Sequence, residues 1–195
     1  MSAAAIGPIL RRMDREVWVV TAASAERRGG LLATWVSPAS IDDTRPRVMV
    51  GISPSHFTGE LITESRSFAL HLLRRDQASL GLSFAIGSGR DRDKFAQIPF
   101  VPSESTGAPL LAECLAWLDC RVVAQLPTGD RIYYWAEVID GQEQEMGEPL
   151  REREFIGSAT AEQQAQLGRD RLADATRLRP LVEQWLASLP PDLRP

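Results

Sequence analysis

The sequence predicts a mainly β protein: an antiparallel barrel with short peripheral helices, followed by a C-terminal helical extension. Three observations carry this prediction. Apolar, β-branched runs recur between turn signals up to about residue 140. Two pairs of those runs read as hairpins, around "AERRGG" and around "PTGD". From Ser158 onward the apolar period changes from strand-like to helical. Strands first and helices last is the order of a sheet domain with helices appended to it.

The elements follow in turn. "IGPILRRM" supplies one or two helical turns. "EVWVVTAAS" is a β-branched strand that ends in a turn at "AERRGG", and "GLLATWVSPAS" is read as a single returning strand. "RPRVMVGIS", entered through Pro46, is almost continuously apolar and is expected to be buried on both faces. In "PSHFTGELITESRSF", Phe57, Leu61, Ile62 and Ser65 recur at helical spacing, with Ser55 as the expected N-cap. "FALHLL" is a strand, "RDQASLGLSFA" a short helix and "IGSGRDRDKFAQ" a polar loop. "LDCRVVAQL" places Leu118, Cys120, Val122, Ala124 and Leu126 on one face, and "RIYYWAEVI" returns after the turn. The C-terminal stripe is Leu178, Leu181, Val182, Trp185, Leu186 and Leu189, with Pro180 predicting a break near Arg177–Arg179 and hence two helices. The expected division is a barrel domain over residues 1–157 and a helical extension over 158–195.

Composition narrows the function. The 195 residues are 44% hydrophobic and 25% charged, ordinary for a globular protein, and the net charge of −4 argues against a nucleic-acid surface. No apolar run approaches a membrane span, and the start is too polar after Leu10 for a secretory signal, so a cytoplasmic protein is expected. Cys114 and Cys120 match no zinc spacing and are expected to be buried free thiols; no metal site is expected. His56 and His71 have no Ser or Cys partner in a nucleophile motif, so no catalytic side chain is assigned.

What stands out is hydroxyl density at two strand exits. Thr34, Ser37 and Ser40 mark the first; Ser53, Ser55 and Thr58 mark the second, where a strand passes into a helix. A helix start offers unpaired N–H groups and a partial positive charge, so added hydroxyls make a cradle for a phosphate. Lys94, the only lysine, could add a counter-charge. Pattern alone does not separate this cradle from an ordinary helix cap. The aromatic residues Trp18, Trp35, Tyr133, Tyr134 and Trp135 fall in strands, where core packing is the usual role, with ring stacking on a planar ligand the alternative.

The stretch "GGLLATWVSPASIDDTRPRVMVGISPSHFTGELITESRSFALHLL" resembles the flavin reductase-like family, the FMN-binding split barrels. "QASLGLSFA", "DKF", "GAPLLAECLAWLDCRVV" and "GDRIYYWAEV" follow in that family's order, so the likeness covers about residues 15–140. "ATWVSPAS" is most similar to the flavin module of diflavin flavoproteins and flavoredoxin-like proteins, and less so to reductase partners of two-component monooxygenases. The resemblance implies a Greek-key split barrel, a homodimer, and FMN, or FAD in some members, in a groove near the subunit interface. Thr34, Trp35, Val36 and Ser37 would lie along the flavin ring and Ser40 beside the ring or ribityl chain. Ser53, Ser55 and Thr58 would hold the phosphate, with Lys94 as helper. It implies NAD(P)H-dependent flavin reduction, or alternatively a flavin-holding electron carrier serving a redox partner protein without its own nicotinamide site. One departure matters: where many of these reductases carry Gly-Asp-His in the hairpin turn, this chain has Gly129-Asp130-Arg131.

Overall fold

A computed structural model describes residues 3–10 and 12–193. After a short helix α1 (Ala3–Leu10), the chain forms β1 (Trp18–Ser24), β2 (Arg27–Ala33), β3 (Val36–Pro38) and β4 (Arg47–Ile52). Helix α2 (Phe57–Ser65), β5 (Ser67–Leu72) and α3 (Ala78–Ala85) follow. Next come two short strands, β6 (Phe100–Pro102) and β7 (Pro109–Leu111), and the long hairpin β8 (Ala116–Pro127) and β9 (Ile132–Glu143). Two helices, α4 (Glu152–Ser158) and α5 (Ala161–Ser188), complete the chain before a final 3-10 turn.

Seven strands form one antiparallel sheet in the order β2-β1-β5-β8-β9-β4-β3. Its edges are β2 and β3, yet only Thr34 and Trp35 separate these strands in the chain. Three virtual bonds reach at most about 11 Å. The two edges must therefore meet there, which curls the sheet into the expected barrel, split at that seam. This corrects the reading of "GLLATWVSPAS" as one strand. It is two, on opposite margins of the sheet.

Alternation builds the interior. Val20, Ala22, Leu31, Ala33, Val48, Val50, Ile52, Phe68, Leu70, Cys120, Val122, Tyr134 and Ala136 point inward, and α2 plugs the barrel with Leu61 and Ile62. β4 is buried on this face only, since Met49 and Gly51 are half-buried, so the expectation of two buried faces fails. In β8 the inward register ends at an irregularity between Val122 and Ala124, which leaves Ala124 and Leu126 exposed. The glycines at 29 and 30 lie within β2 rather than in the turn. A Cβ on Gly30 would stand 2.5 Å from the Phe84 ring, and one on Gly29 would stand 3.0 Å from Leu61. Close approach of α2 and α3 to β2 is what these glycines permit.

Outside the barrel, α3, α4 and the β6–β7 ribbon cover β1 and β5 around Val19, Leu73, Phe84, Phe95, Leu111 and Phe155. Buried polar groups pin the ribbon. The Thr21 hydroxyl donates to the Pro109 carbonyl at 2.6 Å, and Asp119 accepts from the hydroxyls of Ser103 and Thr106. His71, fully buried, accepts the Leu111 N–H at Nε2, which leaves Nδ1 to donate to the Val19 carbonyl. Cys114 and Cys120 are free and buried, as expected, and burial pushes the Cys114 thiol up to about 12.

The C-terminal region departs from expectation. α5 runs unbroken for 28 residues through Pro180. Pro180 and Thr176, whose carbonyl the proline leaves without an N–H partner, are both exposed, so the freed group is not buried. A capping box of Thr160 and Gln163 starts the helix. Of the expected stripe only Leu178 is buried, while Leu181 and Leu186 are exposed. Among the described residues, no helix is long and apolar enough to cross a membrane.

Candidate functional site

The seam between β2 and β3 opens into a small pocket of about 120 Å³. It is lined by Leu31, Leu32, Ala33, Thr34 and Trp35 from the β2–β3 stretch and by Gly51, Ile52, Ser53, His56 and Arg131. Its backbone is held by a hydrogen bond from the Gly51 N–H to the Trp35 carbonyl at 3.0 Å. Arg131 lies over the Trp35 ring, its guanidinium carbon 4.6 Å from the ring centroid. Trp35 and Arg131 also floor a second, larger cleft of about 680 Å³, whose far wall is α5. A volume of that size is in the range of small-molecule sites, whereas the inner pocket alone is too small for a nucleotide.

Two contacts set α5 across the cleft. At one end His56 Nε2 lies 3.6 Å from the Asp174 carboxylate. At the other, the β8–β9 turn meets the helix backbone. Gly129 has φ +90°, and a Cβ there would stand 2.6 Å from Val182 Cα and N. Burial holds the His56 pKa below its ordinary 6.5; Asp174 pulls it upward, and the charges of Arg131 and Lys94 add to the lowering.

The residues singled out in the sequence are not all brought together. Thr34, Trp35 and Ser53 line the inner pocket, and Val36 is half-buried against the barrel core just beyond it. Ser37 is exposed, its hydroxyl donating to the Pro38 carbonyl at 3.1 Å. The Ser40 hydroxyl closes the following loop, donating to the Arg45 carbonyl and accepting the Arg47 N–H. Ser55 does not cap α2. The N-cap is His56, without a side-chain cap bond, and the Ser55 hydroxyl pairs with that of Ser53 at 2.8 Å. The reason is geometric: the turn at Ser53 places His56 one residue nearer the helix start.

Thr58 is 2% exposed and faces Gly29, so its hydroxyl does not line the pocket. Thr58→Glu is accordingly expected to cost several kcal/mol by burying a carboxylate, read as a sharp fall in melting temperature. The Lys94 ammonium is buried and donates to the Phe84 carbonyl at 2.7 Å, at the C-terminal end of α3. Burial first, and Arg92 second, lower its pKa to about 8. The guanidinium at the start of α2 belongs instead to Arg90, which donates to the Ser55 carbonyl at 3.0 Å and pairs with Glu60.

Sequence reasoning missed His56, Arg90 and the α5 residues. His56 read as structural because its partner lies more than a hundred positions away. Arg131 was visible only as a departure. Among the described residues, the N–H groups of Phe57 and Thr58 donate to no acceptor outside the helix, so the α2 start, beside the Ser53 hydroxyl, is a donor set that could hold a phosphate. The uncharged Leu31–Trp35 backbone alongside it suits a flat neutral ring. No group of three or more His, Cys, Asp or Glu side chains is placed to hold a metal among the described residues.

The model of the flavin reductase like domain matches residues 10–153, which takes in the barrel, the seam and the β8–β9 turn. The chain belongs to the flavin reductase-like family. A relative in Rhodococcus opacus, the reductase component of a 4-nitrophenol 4-monooxygenase/4-nitrocatechol 2-monooxygenase, is 39% identical over 110 residues, covering 56% of this chain. The match spans 57% of that relative's length. Among solved structures, flavoredoxin from Methanosarcina acetivorans superposes with a TM-score of 0.63 at 26% identity, covering 68% of this chain and 70% of its own. The NADH:FAD oxidoreductase of Streptomyces globisporus superposes at 0.66 and 25% identity, covering 73% and 86%. The family match ends before α5, so the helix that walls the cleft lies outside the flavin reductase-like core.

Proposed function

We propose that this flavin reductase-like protein is an FMN-binding oxidoreductase that accepts reducing equivalents from NAD(P)H. One observation carries the reading: the Thr34–Trp35 seam and the open N-terminus of α2 face the same lining through Ser53 and His56. In this reading the backbone from Thr34 to Val36 supports the ring, while Ser53, Ser55 and the N–H groups of Phe57 and Thr58 hold the phosphate. When bound, the flavin supplies the two-electron redox chemistry, and the protein supplies orientation, hydrogen bonds and exclusion of water. The activities of the Rhodococcus and Streptomyces relatives support a reductase. The functional unit in this reading is a homodimer, consistent with exposed Leu172, Leu181 and Leu186 on α5.

Arg131 favours one competing reading. It is stacked on Trp35, where many family members carry a histidine in the turn, and this suits a flavin-holding carrier that serves a redox partner protein. Anaerobic mixing with NADH or NADPH separates the two. The reductase should bleach its flavin band at about 450 nm within seconds. Retained flavin that neither dinucleotide bleaches selects the carrier, and a colourless protein that refuses added FMN and FAD removes both. The mass of the released chromophore distinguishes FMN from FAD.

A further inference from the structure

α5 is anchored at its start and merely rests on the barrel further along. The Thr160–Gln163 capping box opens the helix, and the Gln164 amide donates to the carbonyls of Ile156 and Ala159 at 3.0 and 2.9 Å. Leu167 then packs against the core cluster that contains Phe155. Helix α4 is itself fixed, because Phe155 and Ala159 are buried. Ala159 and Thr160 are both extended, so a two-residue link joins the two helices rather than one continuous rod.

Beyond Leu167 the ties are few. Arg171, Asp174, Leu178, Arg179 and Val182 line the larger cleft from the helix side. Leu178 is the single buried residue in these 28, whereas α2 buries Thr58, Gly59, Leu61 and Ile62 within nine. The His56–Asp174 contact is open to water, with side chains 43% and 32% exposed, and Asp174 is shared with Arg177 of its own helix. Exposed ion pairs of this kind hold weakly. An element with so little apolar contact opens locally far more often than the body it rests on. From Leu167 to Val182 the lever is about 22 Å long, so a small tilt near its start lifts the far part clear of the Gly129 turn.

We propose that α5 is a lid: it pivots about its first two turns, and the His56–Asp174 contact latches it over the pocket that the flavin enters. The proposal rests on the flavin reading above for what passes beneath the helix. The inner pocket, about 120 Å³, is too small for a nucleotide, and Trp35 and Arg131 continue from it into the cleft under α5. A flavin seated at the seam therefore extends into that cleft, and its path in and out runs below the helix. His56 lines the inner pocket and is also the partner of Asp174, so the residue at the pocket wall is the one that fastens the lid. The device is this chain's own, since α5 follows the family-matched residues.

The test is stopped-flow mixing of FMN with flavin-free full-length wild type, Asp174→Asn and Leu178→Ala, followed by flavin fluorescence, with amide exchange of the same flavin-free proteins. A lid that must lift for both entry and exit speeds both steps when its ties are weakened. Association and dissociation rates should each rise about two- to fivefold in Asp174→Asn and about tenfold or more in Leu178→Ala. Faster dissociation with unchanged association would make α5 a fixed wall of the site, and unaltered rates in both variants would remove it from ligand access; either result overturns the lid. In flavin-free wild type, residues 168–188 should exchange at least about tenfold faster than the barrel strands. Equal exchange would mean that the helix opens only with global unfolding, which also overturns the lid. Wild type that takes up no FMN would instead overturn the flavin reading, and the exchange measurement would still decide whether α5 lifts.

Discussion

Valine at Gly129 is expected to detach α5 from the barrel. The turn residue has a left-handed backbone at φ +90°, and the helix backbone occupies the space a side chain needs, with Val182 Cα and N at 2.6 Å and the Leu181 carbonyl carbon at 2.7 Å. Neither neighbour is a flexible side chain that can move aside. Overpacking costs about 1–3 kcal/mol and a left-handed non-glycine residue about 1–2 more. Few contacts resist this, since Leu178 is the buried residue of the helix. The expected result is loss of amide-exchange protection across residues 161–188 while the barrel strands keep theirs. Gly107 supplies the control: it has φ +73° and nothing within 4 Å of its missing Cβ, so Gly107→Val carries the backbone strain without the collision. Equal protection of α5 in both variants would show that the Gly129 contact does not hold the helix.

The second large effect is acid lability through His71. Burial pushes this imidazole down from 6.5 to about 4, against the hydrogen bond to the Val19 carbonyl, which raises it. The folded state therefore holds a neutral ring where the unfolded chain takes up a proton. Between these two values the unfolded state binds more protons, so stability rises with pH and is lost as pH falls from about 6.5 towards 4. The span corresponds to about 3 kcal/mol. Protonation also turns Nε2 into a donor facing the Leu111 N–H, which breaks the link between β5 and the ribbon. His56 slopes the same way, so the measurement is the difference between wild type and His71→Leu in urea unfolding at stepped pH. Parallel curves between pH 6.5 and 4 would remove His71 from the account.

Most of the barrel was legible because strand alternation is a local signal. Val20 and Ala22, Val48 and Val50, and Tyr134 and Ala136 show it within a few residues. Closure was not legible, because nothing within "LLATWVSP" states that its two halves pair with partners on opposite margins. The glycines at 29 and 30 misled for a related reason. Their cause is Phe84 and Leu61, distant in sequence, rather than a local turn. Seam and hydroxyl clusters were found, but hydroxyls serve many masters: Ser40 closes a loop, Thr58 packs, and of the six only Thr34 and Ser53 line the pocket. Pro180 predicted a break that an exposed helix does not need. Arg171 and Arg179 carried no pattern at all, since a charged helix face looks the same whether it meets solvent or a cleft.

The splice of two residues between the outermost strands also bears on self-association. An open sheet offers a rim on each side to which foreign strands can add, and here both rims are drawn into the same narrow junction. Unfastening that junction would bare two templates for fibril growth at once. Lengthening the link at Thr34–Trp35 should therefore first reveal itself as turbidity.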